Sequence, residues 1–421
     1  MHLYDLPLAF ALVGLALYAV LGGADFGAGF WQLVAGRGRR ADEIRDHAHH
    51  AMAPVWEANH VWLIFVLTVI WTAYPAAFGS IASTLSIPLF VAGIGIVLRG
   101  GAYALRAGTT TTGEQRRVDT VFALSSVLTP FALGTAIGGI ASGRVHVGNP
   151  GGSLTSSWLN PTSITIGLLA VASAAYMAAV FLSGDAERGG HGQLAEQFRL
   201  RALAAGVAAG AVAIAGLVVL RFDAHRLFTH LTQGAGLPAL VLSLMAGITT
   251  LALIWRRRYE PARYTAALAV ASTIAGWALA QQPLFLRDLT VHQAAAGHDT
   301  QVAIIVAVLA GGVILFPSLA LLFRLTLGGQ LGHAEPTSDE QPARRARPQP
   351  PSPRSARLAA ASLLAGIGFL TVAHTGWAHA IGVACFLSFV AFGYRAVLGG
   401  DILEPPTPTS APSPNGAANQ R

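Results

Sequence analysis

The sequence contains no lysine and little charge of either sign. Charged residues make up 11% of the 421 positions, and all 27 basic residues are arginine. A soluble globular domain carries about 25% charged residues, so this chain has too few charges to cover a water-facing surface. With 53% apolar residues and a mean hydropathy of +0.54, the composition predicts an integral membrane protein.

Cysteine is almost absent too. The single Cys385 cannot form an internal disulfide. The sequence contains no Cys-x-x-Cys pair, the spacing typical of zinc and iron–sulfur sites. The sequence also lacks a phosphate-binding loop and a hydrolase nucleophile elbow. A net charge of +7 would suggest nucleic acid in a soluble protein, but these arginines lie between apolar segments, so we expect no nucleic-acid partner. What is left is chemistry within the membrane, on electrons, protons, ions or a lipid-soluble substrate.

Apolar stretches long enough to cross a membrane recur along the chain. A membrane helix needs about 20 largely apolar residues, because the hydrocarbon core is about 30 Å thick. Segments of that kind lie near 6–34, 55–78, 81–105, 118–142, 162–183, 201–220, 236–255, 263–283, 302–327, 357–374 and 378–397. The sequence therefore predicts an all-α, polytopic membrane helix bundle with about eleven transmembrane helices.

The arginines are distributed unevenly between the two sides of this bundle. If the N-terminus is outside, the inner loops and the tail hold 23 arginines, Arg99 among them, and the outer loops hold only four: Arg144, Arg221, Arg226 and Arg287. Arginine-rich loops stay on the cytoplasmic side, so we predict an N-out, C-in topology in the lipid bilayer.

The chain is predicted to have four regions. A membrane domain covers residues 1–327, and an additional pair of transmembrane helices covers 357–397. Between them, residues 328–356 are rich in Pro, Gln, Arg and Ser. That segment is predicted to be a disordered cytoplasmic linker, and residues 398–421 a disordered tail, because neither composition can bury a core.

Asp25 lies in a glycine-rich segment, 22–29 (GGADFGAG), within or just below the first apolar run. An ionisable group at membrane depth is costly, so it needs a reason to be there. The flanking glycines would allow another backbone to approach closely or the helix to deform. Two interpretations stay open: a buried functional acid, or a solvated residue at the inner end of the first helix.

A second group of polar residues opens the next apolar run, at 53–63 (APVWEANHVWL). On a helix, Glu57 and His60 share one face, and Trp56 and His60 share the neighbouring one. This pattern favours a group that passes protons or hydrogen-bonds a quinone or a haem propionate. The alternative is a helix N-terminus at which Glu57 complements the helix dipole. No pair of mid-membrane histidines typical of bis-His haem is evident, and we predict no metal ligands.

Three segments resemble subunit II of cytochrome bd-type quinol oxidases. They are 23–29 (GADFGAG), then 53–63, which is similar to the family's Ala-Pro-x-Trp-(Asp/Glu)-x-Asn-x-Val-Trp-Leu signature, and 276–283 (GWALAQQP). Arg99 and Pro130 also fall where the family tends to have them. The resemblance covers residues 1 to about 327, so nine helices are family-like and the two C-terminal helices are additional.

The resemblance implies a heterodimer in the bacterial cytoplasmic (inner) membrane with a haem-bearing subunit I, which holds haem b and haem d. Such a complex oxidises quinol and reduces dioxygen to water, and this subunit would ligate no haem and would not be active alone. Glu57, where the family often has Asp, and Asp25 would lie on the cytoplasmic proton route. The motif itself, rather than the resemblance, predicts that Trp56, Asn59, His60 and Trp62 contact haem or quinone; the family assigns no role to His60, because that position varies.

Other points stay open at the level of the sequence. These are whether a quinone binds in this subunit, whether a small accessory membrane subunit joins, and what the additional helices do. The alternative to the oxidase is a secondary transporter or channel that uses buried acidic residues, for which discontinuous helices would be typical. A purely structural subunit without a proton role is a third possibility.

Overall fold

The computed structural model of the protein describes residues 2–36, 38–52, 56–106, 112–148, 153–327 and 353–372, with nine further positions between 377 and 392. The chain divides into two compact units, Met1–Leu321 and Leu322–Arg421. Within the described residues the first unit is helical apart from one short hairpin, so the predicted all-α membrane class is confirmed. Most of the predicted linker, most of the predicted helix 378–397 and the predicted tail lie outside the described residues.

The first membrane helix runs without a break from a 3₁₀ turn (Leu3–Asp5) through α1 (Leu6–Leu17), a π-helical turn (Tyr18–Gly22) and α2 (Gly23–Val34). The other helices are α3 (Arg39–Met52), α4 (Trp56–Ala73), α5 (Pro75–Thr84), α6 (Ser86–Arg106), α7 (Thr112–Ala141), α8 (Pro161–Arg188), α9 (Gly192–Asp223), α10 (His225–Gln233), α11 (Leu237–Trp255), α12 (Tyr259–Gln281), α13 (Val291–Ala294), α14 (His298–Leu327) and α15 (Pro353–Val372). Strands β1 (Leu284–Leu286) and β2 (Leu289–Thr290) pair antiparallel between α12 and α13.

Seven helices in the described part are long and apolar enough to cross a membrane. They are Leu3–Val34, Ser86–Arg106, Gly113–Ala141, Pro161–Arg188, Gly192–Asp223, Leu237–Trp255 and His298–Leu315. Counting the bent pair α4–α5 as one span makes eight. Helix α12 overlaps the predicted segment 263–283 but is not among them, so the count of eleven and the N-out orientation stay predictions.

The predicted span 55–78 is wrong as a single straight helix. It divides into α4 and α5, and the helix direction bends by 120° between them. Pro75, at the first position of α5, cannot donate a backbone hydrogen bond, and Tyr74 before it has left helical geometry (φ −139°, ψ 60°). The freed carbonyl of Ala73 accepts from the Ala296 N–H and from Nε2 of Gln301, both at 2.8 Å. The break is therefore held in place by the segment around α14.

The core of the first unit lies where α2 packs against α7 and α8, with α9 and α12 behind them. Gly27 makes this possible, because a Cβ there would come within 1.9 Å of the Ala174 carbonyl oxygen on α8. The indole of Trp31 donates to the next carbonyl, that of Ala175, at 2.8 Å. The prediction that these glycines permit close backbone approach is confirmed.

In the second unit, α15 begins at Pro353. The predicted linker was expected to continue to residue 356 and the helix to begin at 357. The helix starts earlier because proline is favoured in a first helical turn, where its missing N–H is not needed. The predicted pair of transmembrane helices at 357–397 is only partly described, and it stays a prediction.

Candidate functional site

The buried centre of the site is an ion pair between Asp25 on α2 and Arg99 on α6. Nη2 of Arg99 donates to Oδ1 of Asp25 at 2.6 Å and to the Asp25 backbone carbonyl at 3.1 Å. The side chains are only 1% and 2% exposed. Removing one such charge from water without a partner is very costly, so each residue accounts for the presence of the other.

Aromatic rings enclose the pair. The Arg99 guanidinium lies 4.8 Å from the ring centre of Phe26 and 4.5 Å from that of Phe122. Tyr18, in the π-helical turn, packs edge-on to Phe26 at 6.3 Å. π-Turns recur at functional sites because they turn side chains away from their regular helical positions. Here the turn places a phenol beside the ion pair.

The pair is not fully satisfied by the protein. Among the described residues, Oδ2 of Asp25, Nε and Nη1 of Arg99 and the hydroxyl of Tyr18 are buried and have no hydrogen-bond partner. Buried polar atoms in native proteins almost always find one. Four such atoms lie around one carboxylate, so the described residues alone do not satisfy this ion pair.

The second sequence motif meets the first at this place. The His60 ring lies 6.0 Å from Phe26 and 6.1 Å from Tyr18. Nδ2 of Asn59 donates to the carbonyl of Leu21 in the π-helical turn at 3.3 Å. Trp62 packs against the small apolar cluster that contains Tyr18 and Phe26. Asp25, Asn59, His60 and Trp62 therefore lie in one neighbourhood, and their predicted roles stay predictions.

Glu57 and Trp56 lie in the first turn of α4, but their side chains are outside the described residues. Their predicted roles in proton transfer and in binding therefore stay predictions. The backbone places Glu57 three residues before His60, near the same end of the bundle as α3.

Two expectations about charge are corrected. Asp25 is buried and paired with Arg99. The interpretation of Asp25 as a solvated residue at the inner end of the first helix is therefore wrong. Arg99 is not a loop arginine but lies within α6 at 1% exposure. The signal was available in the sequence, because an arginine between Leu98 and Gly100 in an apolar run requires a buried partner. Tyr18 was missed because a π-turn leaves no mark in apolar periodicity.

The site lies past the middle of its two helices, towards one end of the bundle but closer to the middle than to that end. Asp25 is nine residues before the end of α2, and Arg99 is seven before the end of α6, or about 10–13 Å at 1.5 Å per residue. Both helix ends face the side that the arginine distribution predicts to be cytoplasmic. A cavity of about 450 Å³ near β2, lined by His146, Asp288 and Gln293 among others, contains none of the predicted site residues.

Metal ligation has no ready site in the described part of the chain. It contains no group of three or more His, Cys, Asp and Glu side chains that could hold an ion. His60, the histidine of the second motif, packs beside Tyr18 and Phe26. The prediction that this subunit ligates no haem stays a prediction.

Comparison with known proteins gives concordant matches. The sequence model of the family "Cytochrome bd terminal oxidase subunit II" matches residues 4–326. A Bacillus subtilis (strain 168) protein, provisionally named as subunit II of a cytochrome bd menaquinol oxidase, is 24% identical over 117 residues, or 28% of this chain. The alignment spans about one third (33%) of that relative's length. A chain of the bd oxidase structure from Geobacillus thermodenitrificans superposes with a TM-score of 0.62 at 25% identity, covering 78% of this chain and 99% of that one.

Proposed function

Because the chain belongs to the cytochrome bd terminal oxidase subunit II family, we propose that it acts as subunit II of a membrane-bound quinol:oxygen oxidoreductase. It spans the bacterial inner membrane several times beside a haem-bearing subunit I, ligates no haem itself and has no activity alone. Haem b and haem d, held by the partner, supply the oxygen-reducing chemistry when bound. The observation that supports a role beyond scaffolding is the buried, partly unsatisfied Asp25–Arg99 pair.

The proposed role of this subunit is to deliver protons from the cytoplasmic side. Glu57 receives a proton near the end of the bundle, and the Asp25 carboxyl is the next acid on the route. A carboxylate can hold a proton on Oδ2, the oxygen that Arg99 leaves without a hydrogen bond. Arg99 keeps Asp25 in position through Oδ1, and the surrounding rings exclude bulk water. His60, Trp56, Asn59 and Trp62 line the approach towards haem or quinone.

The proposal also divides the chain into a part that carries the function and parts that do not. The domain 1–327 carries the proposed function, while the linker 328–356, the additional pair 357–397 and the tail 398–421 are peripheral to it. A small accessory membrane subunit and a quinone bound within this chain are both compatible with the proposed function. The transporter alternative is not favoured, because the family match covers most of the chain; its one supporting feature is the broken pair α4–α5.

The first experiment purifies the complex through a tag on this chain. A second membrane subunit with a haem spectrum, together with quinol-dependent oxygen uptake, would support the assignment. Recovery of this chain alone, without pigment and with substrate flux in vesicles, would support the transporter instead.

The proton role has its own test in Glu57→Gln. This change keeps the shape of the side chain but removes the group that carries the proton. We expect oxygen uptake to fall on the order of a hundredfold, with haem content and subunit ratio unchanged.

Glu43→Gln is the matched control, because Glu43 is exposed on α3 and pairs only with Arg39 at the surface. Its turnover should equal that of the unmodified complex. Full turnover in an assembled Glu57→Gln complex would remove Glu57 from the route.

A further inference from the structure

The C-terminus of α11 carries three consecutive arginines: Arg256, Arg257 and Arg258. The Arg257 N–H donates to the Ile254 carbonyl at 3.0 Å and the Arg258 N–H to the Leu253 carbonyl at 2.8 Å. This is the Schellman pattern of helix termination, in which glycine normally takes the left-handed position. Here Arg257 takes it, with φ +60°. The turn therefore contains three consecutive arginine side chains, because Arg257 stands at the position where glycine is usual.

The start of α9 holds this turn in place. Nη2 of Arg257 lies 3.3 Å from Oε2 of Glu196, and the same carboxylate binds Arg199 at 2.6 Å. The guanidinium of Arg199 lies 5.9 Å from the ring centre of Trp255, the last residue of α11. One acid thus serves two arginines, and the local charge stays strongly positive.

The two outer arginines of the turn differ from most at this end of the bundle. Arg106 pairs with Asp119, and Arg263 pairs with Asp185. Arg256 and Arg258 are exposed, and no carboxylate lies within ion-pair distance of either in the part of the chain that the structure describes. Their guanidinium groups are available for a ligand from outside the chain.

Apolar and aromatic groups border the same turn. Trp255 is 71% exposed and ends a helix long enough to cross the membrane, while Leu200 on α9 is 56% exposed. Tyr264, in the second turn of α12, is 75% exposed. Exposed Trp and Tyr at the ends of membrane helices lie at the level of the lipid headgroups. The free arginines are therefore at phosphate depth, with an apolar surface for an acyl chain beside them.

We propose that Arg256 and Arg258, together with the Trp255 ring, form a binding site for an acidic phospholipid. The guanidinium groups bind the phosphate oxygens, for which their planar donor geometry is suited, and the acyl chains lie along α9 and α11. Basic pockets between membrane helices bind anionic headgroups in this way. The proposal does not depend on the oxidase function.

Binding of phosphatidylglycerol tests the proposal. The chain, purified in detergent with any partner chains that stay bound, is titrated with phosphatidylglycerol, with phosphatidylcholine and with inorganic phosphate, and bound lipid is counted by native mass spectrometry. We expect saturable binding of phosphatidylglycerol only. The double variant Arg256→Gln/Arg258→Gln should bind it about thirtyfold more weakly, since each arginine near the surface contributes about a factor of five.

The matched control is Arg116→Gln/Arg117→Gln at the start of α7. These two arginines are also exposed, lie at the same end of the bundle and have no carboxylate partner among the described residues. Their loss should change the affinity by less than about twofold. An equal loss in both double variants would show that only general surface charge matters. Equally tight binding of inorganic phosphate would show a free-anion site, and unchanged affinity in the first variant would exclude these residues; each result overturns the proposal.

Discussion

Two of the ion pairs that join distant parts of the first unit, Arg144–Asp223 and Asp25–Arg99, are built differently. Arg144 binds Asp223 through two parallel hydrogen bonds, 3.0 and 2.6 Å long. Asp223 also accepts from the backbone N–H and the hydroxyl of Thr162, at 3.2 and 2.6 Å. The side chains of this pair are 33% and 16% exposed. Both carboxylate oxygens of Asp223 accept hydrogen bonds, and water can reach the exposed part of each side chain.

The Asp25–Arg99 pair has the opposite character. It has a single side-chain hydrogen bond, it is almost inaccessible to water, and four polar atoms around it have no partner among the described residues. A pair that only joins helices is most stable when all its hydrogen bonds are made. The difference supports the proposal that Asp25–Arg99 takes part in the proton route, whereas Arg144–Asp223 joins parts of the fold.

The largest effect is expected when only one charge of the inner pair is removed. Asp25→Asn leaves Arg99 buried without a counter-charge, so the complex should lose about 3–5 kcal/mol of stability. Thermal unfolding in detergent, followed with haem content, measures this loss.

The double variant Asp25→Asn/Arg99→Gln separates stability from activity. It removes both charges, so most of the stability should return, while oxygen uptake stays low because the acid is missing. Recovery of both stability and turnover in the double variant would make the pair purely structural and would remove the contrast drawn above.

An intermediate effect is expected at the outer pair. Arg144→Gln removes charge-assisted hydrogen bonds, but Asp223 keeps Thr162 and gains water, so the loss should be about 2 kcal/mol. Oxygen uptake per assembled complex should be unchanged. A fall in turnover as large as that in Asp25→Asn would mean that the two pairs do not differ in the way their geometry indicates.

The smallest effect is expected for Thr162→Val, which removes one hydroxyl donor to Asp223 and keeps the backbone donor. We expect a loss of about 1 kcal/mol, measured by the same unfolding assay. Combining it with Arg144→Gln should give less than the sum of the two losses, because both act through one carboxylate. A stability loss in the double variant equal to the sum of the two single losses would show that Arg144 and Thr162 do not act through one hydrogen-bond network on Asp223.

Much of the architecture could be predicted from local composition. Long apolar runs predicted the membrane helices, and the motifs at 23–29 and 53–63 led to the right family. Asp25, Asn59 and His60, which come from the two motifs, lie in one neighbourhood, but their predicted roles stay predictions. Pro75, in contrast, was passed over, although a proline preceded by Tyr74 inside an apolar run is a possible helix break.

The sequence by itself determined that the chain enters a membrane as helices, because burial of apolar side chains in lipid depends on each segment alone. Only the tertiary structure decided which charges meet. Arg99 is 74 positions from Asp25, and no periodicity links them; they pair because α2 and α6 both pack on α7. Likewise, Arg257 pairs with Glu196 of another helix, α9. Charges interact strongly at short range in a medium of low polarity. The packing of the helices therefore decides which charged side chains come close enough to pair.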